Sequence, residues 1–416
     1  MDSLFTHSIA VHPPLSEEAL AAVPAKRGVL LLAGEGDTPI VLLTAADIRA
    51  RLRNRLAQPP DELRKAADLR HITRKILFTL APSHVEADLT FLELARTLFP
   101  DSFTELLSWR RAWLVQVNPA AEFPRFSRTH CVGAVEIRQP ARDGLTLGPF
   151  PSGQAAQQFI ETVEDLFDLC RDYACLRQAP NGPACAYLQM GRCTGPCNGT
   201  ISLEAYRRQV AEAADFAAGN REPFLATLRQ RMQQAADATE FERAGRFKKR
   251  LERARALDHA EFAHVRPIGQ WRFILVQPAS SKKWQDVFLA VGPAVTKIAP
   301  LSKTPTEDQL AATLSAMAQA CGTGVSSARP ASILPAPGED DVVSSSGLAN
   351  GSHNAGETPA PRGRGIPTAP ADADLYRLGL LAHYLFSSPA KRGVIVHYTS
   401  AMTPQELAEQ IKQQTL

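Results

Sequence analysis

The stretch CAYLQMGRCTGPC, residues 185–197, decides how this chain is read. It holds Cys185, Cys193 and Cys197 among small residues, and Cys175 upstream completes the spacing C-x9-C-x7-C-x3-C. Four thiolates within 23 residues suit zinc or an iron–sulfur cluster, and softness alone leaves both open. The glycines let the backbone wrap close to a metal centre and donate N–H groups to sulfur. Buried free thiols are the plain alternative. Five of the seven cysteines fall between Cys170 and Cys197. Cys170 closes a predicted helix and stays outside the ligand set. The start, MDSLFTHSIAVHPP, has no basic n-region and no long apolar core. A secretory leader, and with it a disulfide framework, is therefore not expected.

Outward from the cysteines the chain reads as α/β and multidomain. Upstream, a helix spans about 154–169. Downstream, Glu204–Gly219 forms a helix ended by Gly219-Asn220, a usual C-terminal signal. Leu225, Leu228, Met232 and Ala235 step by three and four, as do Ala244, Phe247, Leu251 and Ala254. Two short amphipathic helices so close together pack as an antiparallel hairpin. Before the cysteines, Val29–Leu32 and Ile40–Leu43 are strands around the turn GEGDTP (34–39). A helix over 44–56 carries Arg49, Arg51, Arg53 and Arg55, and helices are expected over 61–80 and 84–99. Residues 132–137 form a strand. After 266 come three strands of a meander, a helix opened by a capping box at Thr304-Pro305-Thr306-Glu307, a helix over 374–386, a strand over 393–398 and a last helix opened by Thr403-Pro404-Gln405-Glu406. Between them, residues 322–373 contain 22 Gly, Pro or Ser and read as a disordered insertion. PAKRGV occurs at 24–29 and 389–394, a basic entry to a strand in each case.

Net charge is only +3, so any basic surface is local. No run of 18 apolar residues exists, so no membrane span and a cytoplasmic location are expected. The histidines show no H-x-x-x-H pair, and no phosphate-cradling glycine loop occurs. Neither a zinc hydrolase nor a small-molecule substrate is expected.

Residues 147–257 resemble the UvrC family, the incising component of the UvrABC excinuclease, the bacterial nucleotide-excision repair nuclease. The resemblance rests on LGPFPS (147–152), the cysteine stretch, Ile201, Glu204 and Tyr206, and on Met232, Ala235, Ala236, Phe241, Glu242 and Ala244, which match the short UVR motif. It implies a 4Fe–4S cluster on Cys175, Cys185, Cys193 and Cys197, with zinc as the alternative. It implies that Met232, Phe241, Glu242 and Phe247 contact the repair protein UvrB; the alternative is that Phe241 is a core residue of this chain. It also implies DNA as a partner, with Arg49, Arg51, Arg53, Arg55, Lys248 and Lys249 as candidate phosphate contacts or, alternatively, a solvated helix face.

The same resemblance casts the first 125 residues as a GIY-YIG nuclease domain. Such a domain needs two tyrosines, an arginine and a metal-binding glutamate: a base for water, a cation for the developing charge and a carboxylate for the metal. Here Leu30, Val41 and Phe91 stand at the tyrosine and glutamate positions, and only Arg51 survives, with Glu93 as a displaced candidate. The domain is expected to be a scaffold without cleavage chemistry. The rivals are an endonuclease with a rearranged site and an iron–sulfur redox or sensing protein. The family's second nuclease domain is not visible, and Asp340, Asp341, Asp372 and Asp374 read as solubilising charge. The expected divisions are 1–125 degenerate nuclease domain, 126–200 linker helix and cysteine segment, 201–262 helix plus hairpin, and 263–416 C-terminal α/β domain.

Overall fold

The computed structural model describes residues 1–57, 68–130, 144–279, 281, 283–322 and 370–415. The described chain divides into a unit comprising Met1–Leu107 and a second comprising Ser108 onward, with Pro370–Leu416. The expected strand over 132–137, most of the 322–373 insertion and the acids Asp340 and Asp341 lie outside the described residues, as does the side chain of Asp372.

In the first unit, β1 (His7–Ala10), β2 (Gly28–Ala33), β3 (Pro39–Ala45) and β4 (Lys75–Leu80) form one antiparallel sheet in the order β1-β4-β2-β3. The β2–β3 hairpin sets Leu30 opposite Leu43 and Leu32 opposite Val41. Gly36 turns it at φ +65°, a conformation that favours glycine. The expected helix over 61–80 is corrected within the described residues. Only Leu69–Ile72 makes a helical turn, and Lys75–Leu80 is a strand paired on both edges. Ile76, Leu77 and Phe78 are a short apolar run, which periodicity cannot assign; pairing partners on both sides decide it. Helices α1 (Glu17–Ala22), α2 (Ile48–Ala57) and α3 (His84–Leu98) complete the unit. Helix α2 begins later than position 44 because β3 runs on to Ala45, and Asp47 then caps it by accepting the Ala50 N–H at 2.9 Å. Leu30, Leu32, Leu52, Ile76 and Phe78 share its core.

The second unit has two further antiparallel sheets. In the first, β5 (Trp113–Val117), β6 (Phe126–Thr129), β7 (Leu145–Phe150) and β8 (Arg266–Pro267) run in the order β6-β5-β7-β8. Residues on both sides of the cysteine segment thus share one sheet. Helix α4 (Gly153–Leu166) packs on it, capped by Ser152, whose hydroxyl accepts the Ala155 N–H at 3.1 Å. Its apolar face carries Ala156, Phe159, Ile160 and Val163. A Cβ at Gly153 would lie 2.7 Å from the Trp113 ring, so only glycine lets helix and sheet approach so closely. Phe150, Phe159 and Phe262 meet edge-on or tilted at 5.2–6.3 Å between ring centres. Helices α5 (Leu203–Ala217), α6 (Glu222–Asp237) and α7 (Phe241–Arg255) follow, the last two as the expected antiparallel pair.

In the second of these sheets, β9 (Arg272–Pro278), β10 (Trp284–Val291), β11 (Ala294–Ser302) and β12 (Val394–His397) run in the order β11-β10-β9-β12. The meander is therefore as expected. Helices α8 (Glu307–Gly322), α9 (Pro370–Leu385) and α10 (Pro404–Thr415) accompany it. The α10 capping box forms as expected: Thr403 N–H donates to Glu406 at 2.9 Å, and Glu406 N–H donates to the Thr403 hydroxyl at 3.2 Å. The α8 box is shifted by two residues, pairing Thr306 with Gln309 at 3.3 and 3.4 Å in place of Thr304 with Glu307. Proline at 305 precedes the cap instead of opening the helix. Asp374 is also corrected. It is buried on α9 and paired with Arg377 at 3.2 Å, so it is a satisfied interior carboxylate and not surface charge. Both PAKRGV segments do enter strands. A Cβ at Gly28 would lie 2.4 Å from the Thr79 carbonyl oxygen, and one at Gly393 would lie 2.3 Å from that of Val276.

Candidate functional site

The cysteine segment is built from two helical turns and a glycine-rich loop in the second unit. Asp172 caps the turn Tyr173–Leu176, and its carboxylate accepts the Cys175 N–H at 3.0 Å. Cys185 is the N-cap of the turn Ala186–Gln189. Cys193 and Cys197 lie in the following loop, both buried. Gly195 N–H donates to the Cys193 sulfur at 3.4 Å. Gly195 takes φ +74°, and a Cβ on it would meet Thr200 at 2.8 Å, so glycine is required for this wrap. Gly182 N–H donates to the Cys197 carbonyl at 2.8 Å and closes the segment on itself.

The electrostatics show how the thiols sit. A hydrogen bond from Cys170, aided by the Gly195 and Thr194 amides against the cost of burial, brings the Cys193 thiol down to about 6. A hydrogen bond with Asp172, then burial and the charges of Asp172, Cys185 and Cys197, pushes Cys175 up to about 11. Burial, Cys185 and Cys193 raise Cys197. The four expected cysteines therefore feel one another. Among the described residues, however, no three His, Cys, Asp or Glu side chains are placed to share a single metal ion. The donor chemistry fits a thiolate centre, and the cradle at Cys193 fits a sulfur that carries charge.

Cys170 is the residue that sequence reading left out. It is buried beside Cys193, its N–H donates to the Tyr206 hydroxyl at 3.2 Å, and its thiol donates to the Asp172 carbonyl at 3.3 Å. Its place after a helix gave no sign of this; the fold of 167–176 brings it back to the loop.

The hairpin is anchored through its last turns. Arg250 binds the Leu166 carbonyl and the Asp168 carboxylate, and Arg253 binds Asp165, which also pairs with Arg171. Leu228 and Ala235 of α6 and Ala254 of α7 are buried. The far end is different. Phe241 is 72% exposed, Glu242, Lys248 and Lys249 are exposed, and Met232 and Phe247 are half-buried. Phe241 as a core residue of this chain is therefore corrected: it opens α7 at the tip, beyond the reach of the packed face.

The first unit sorts its candidates plainly. Leu30 and Phe91 are buried and Val41 is half-buried. Glu93, two positions from Phe91 on α3, turns to the other side and pairs with Arg96 at 3.4 Å. Of the arginine row, Arg49 donates to the Val23 carbonyl and Arg53 pairs with Glu17 at 3.4 Å, so these two serve the unit itself. Arg51 and Arg55 are exposed. The expected basic helix is thus partly structural.

No helix among the described residues is long and apolar enough to cross a membrane. The profile of the UvrC/Cho excinuclease middle domain matches residues 119–216, which span β6, β7, α4, the cysteine segment and α5. UvrABC system protein C of Methylococcus capsulatus is 28% identical over 241 residues, covering 57% of this chain and 38% of that protein. The protein of the same name from Syntrophotalea carbinolica is 28% identical, covering 56% and 36%, and that from Alcanivorax borkumensis is 31% identical, covering 53% and 35%. The chain thus spans under two fifths of the length of these curated relatives. No solved structure matches it. Residues 119–216 are thus similar to the UvrC/Cho excinuclease middle domain, and these relatives are similar over little more than half of the chain.

Proposed function

We propose that the chain acts in nucleotide-excision repair by binding DNA and a UvrB-like partner, without incising DNA itself. The observation that carries this reading is the tip of the hairpin. It keeps Phe241 72% exposed on a helix whose other end is tied down by Arg250 and Arg253. A large apolar side chain held out to solvent on an anchored element is the form a docking contact takes. Lys248 and Lys249, exposed on the same helix, and Arg51 on α2 are the candidate phosphate contacts.

The packing of the first unit supports the absence of incision. Leu30 fills an apolar core, Val41 packs against it, and neither side chain takes a proton. Phe91 is buried, and the nearby Glu93 is paired with Arg96. Cys175, Cys185, Cys193 and Cys197 would hold a 4Fe–4S cluster, as the resemblance to the UvrC family implies, with zinc as the alternative. Such a centre would lock a loop too rich in glycine to hold its shape by packing alone. The test is single-turnover incision of a lesion-bearing duplex by the full chain with Mg²⁺ or Mn²⁺. No incision is expected, alone or with restored single residues, because base, cation and metal act as a unit. Incision that disappears in Arg51→Ala overturns the reading.

A further inference from the structure

Beside the cysteines, the second unit mounts two arginines on one aromatic ring. The Arg125 guanidinium carbon lies 3.8 Å from the centre of the Tyr173 ring, and that of Arg177 lies 5.5 Å from it. The three residues come from two stretches of chain, and each stretch is held in place. Asp172 caps the turn Tyr173–Leu176, Arg177 N–H donates to the Tyr173 carbonyl at 3.1 Å, and Tyr173 packs against the apolar core of the unit. Arg125 immediately precedes β6, where Phe126 is buried in the same core. Arg207 fixes the loop before it by donating to the Ala121 and Glu122 carbonyls at 3.0 and 3.1 Å. A guanidinium stacked on a ring keeps its N–H edge free and is already oriented when an anion arrives.

These charges are left open. Both arginines are exposed, and neither guanidinium has an ion-pair or hydrogen-bond partner among the described residues. Residues 173–203 contain no aspartate, glutamate, lysine or histidine, and apart from the thiols Arg177 and the exposed Arg192 are their only charged side chains. Asp172 spends its carboxylate on the Cys175 N–H at 3.0 Å. Two cations against one ring repel each other, and an anion that contacts both relieves this. The planar fork of arginine matches two oxygens of a phosphate, and such backbone contacts position a protein on nucleic acid without reading its sequence. The arginines stand on an open surface and not in a pocket. That suits a strand lying across them, whereas a small anion is held by enclosure.

We propose that Arg125 and Arg177, mounted on Tyr173, form a contact surface for the phosphodiester backbone of a nucleic-acid strand. The proposal rests on the reading of the chain as a DNA-binding protein, and it assigns that binding residues beyond Lys248, Lys249 and Arg51. The experiment follows the anisotropy of a labelled single strand and of a labelled duplex, each titrated with the full chain over a series of salt concentrations. Replacing both residues, Arg125→Gln with Arg177→Gln, is expected to flatten the plot of log affinity against log salt by about 1.4 on the single strand or about 1.8 on the duplex, the release belonging to two phosphate contacts. The loss should be alike for strands of different sequence. Arg125→Lys with Arg177→Lys should restore most of the slope, because charge sets counterion release. Both side chains are exposed, so urea unfolding of either double variant should match that of the native chain. If the native chain binds and the glutamine variant keeps its slope, this proposal is overturned and the DNA reading stands. A loss of slope that the lysine variant does not restore overturns it as well, because the arginines then act through the fold and not on phosphate. A native chain that binds neither probe overturns both.

Discussion

Replacing Phe241 with alanine separates docking from folding, because the side chain is 72% exposed. Burying a phenylalanine completely is worth about 1.5–3 kcal/mol. Less than a third of that burial is realised within the chain, so Phe241→Ala costs the fold at most about 0.4–0.8 kcal/mol. A partner that covers the rest gains about 1–2 kcal/mol from this side chain, an affinity change of roughly 5- to 30-fold. Leu228, buried in the same hairpin, is the control. Leu228→Ala leaves a cavity and is expected to cost the fold about 2–5 kcal/mol. The assay is calorimetric titration of the full chain against UvrB from the same organism, with urea unfolding of each variant alongside. Phe241→Ala should weaken binding with nearly unchanged unfolding, and Leu228→Ala should do the reverse in unfolding. If Phe241→Ala costs the fold more than about 1.5 kcal/mol, or leaves binding to UvrB untouched, the reasoning from exposure fails.

Protein purified without oxygen should be brown and contain iron and sulfide, and Cys193→Ala or Cys197→Ala should lose the metal and loosen the segment over 175–200. Zinc in place of iron, or colourless variants of unchanged stability, would count against the cluster. Burial pushes Glu164 up to about 7, with Glu161 adding to the effect and Arg171 opposing it. The folded chain therefore keeps a proton that the unfolded chain has released, and the stability this gives below the unfolded value of 4.5 is lost as pH rises through about 7. Glu164→Gln should gain on the native chain by up to about 3 kcal/mol between about pH 5 and pH 8 in urea unfolding; an equal difference at both pH values refutes the assignment.

The cysteine spacing, the hairpin periodicity, the β2–β3 turn and the meander after 266 were all legible in the sequence. Each is local: a turn residue, a cap or a step of three and four fixes it within a dozen positions. The Thr403–Glu406 cap was legible for the same reason, whereas the Thr306–Gln309 cap was misplaced because two threonines two positions apart offered the same signal.

What the sequence determined by itself is the inventory: four thiols at ligand spacing, an amphipathic pair of helices, and a first unit whose strands are apolar and hold no tyrosine. Tertiary structure decided what each residue faces. It made Lys75–Leu80 a strand by pairing it on both edges, buried Asp374 against Arg377, brought Cys170 to Cys193 and spent Arg49 and Arg53 on their own unit. It also left Phe241 in solvent. Those outcomes depend on contacts between residues far apart in the chain, and local periodicity carries no information about which distant partner arrives.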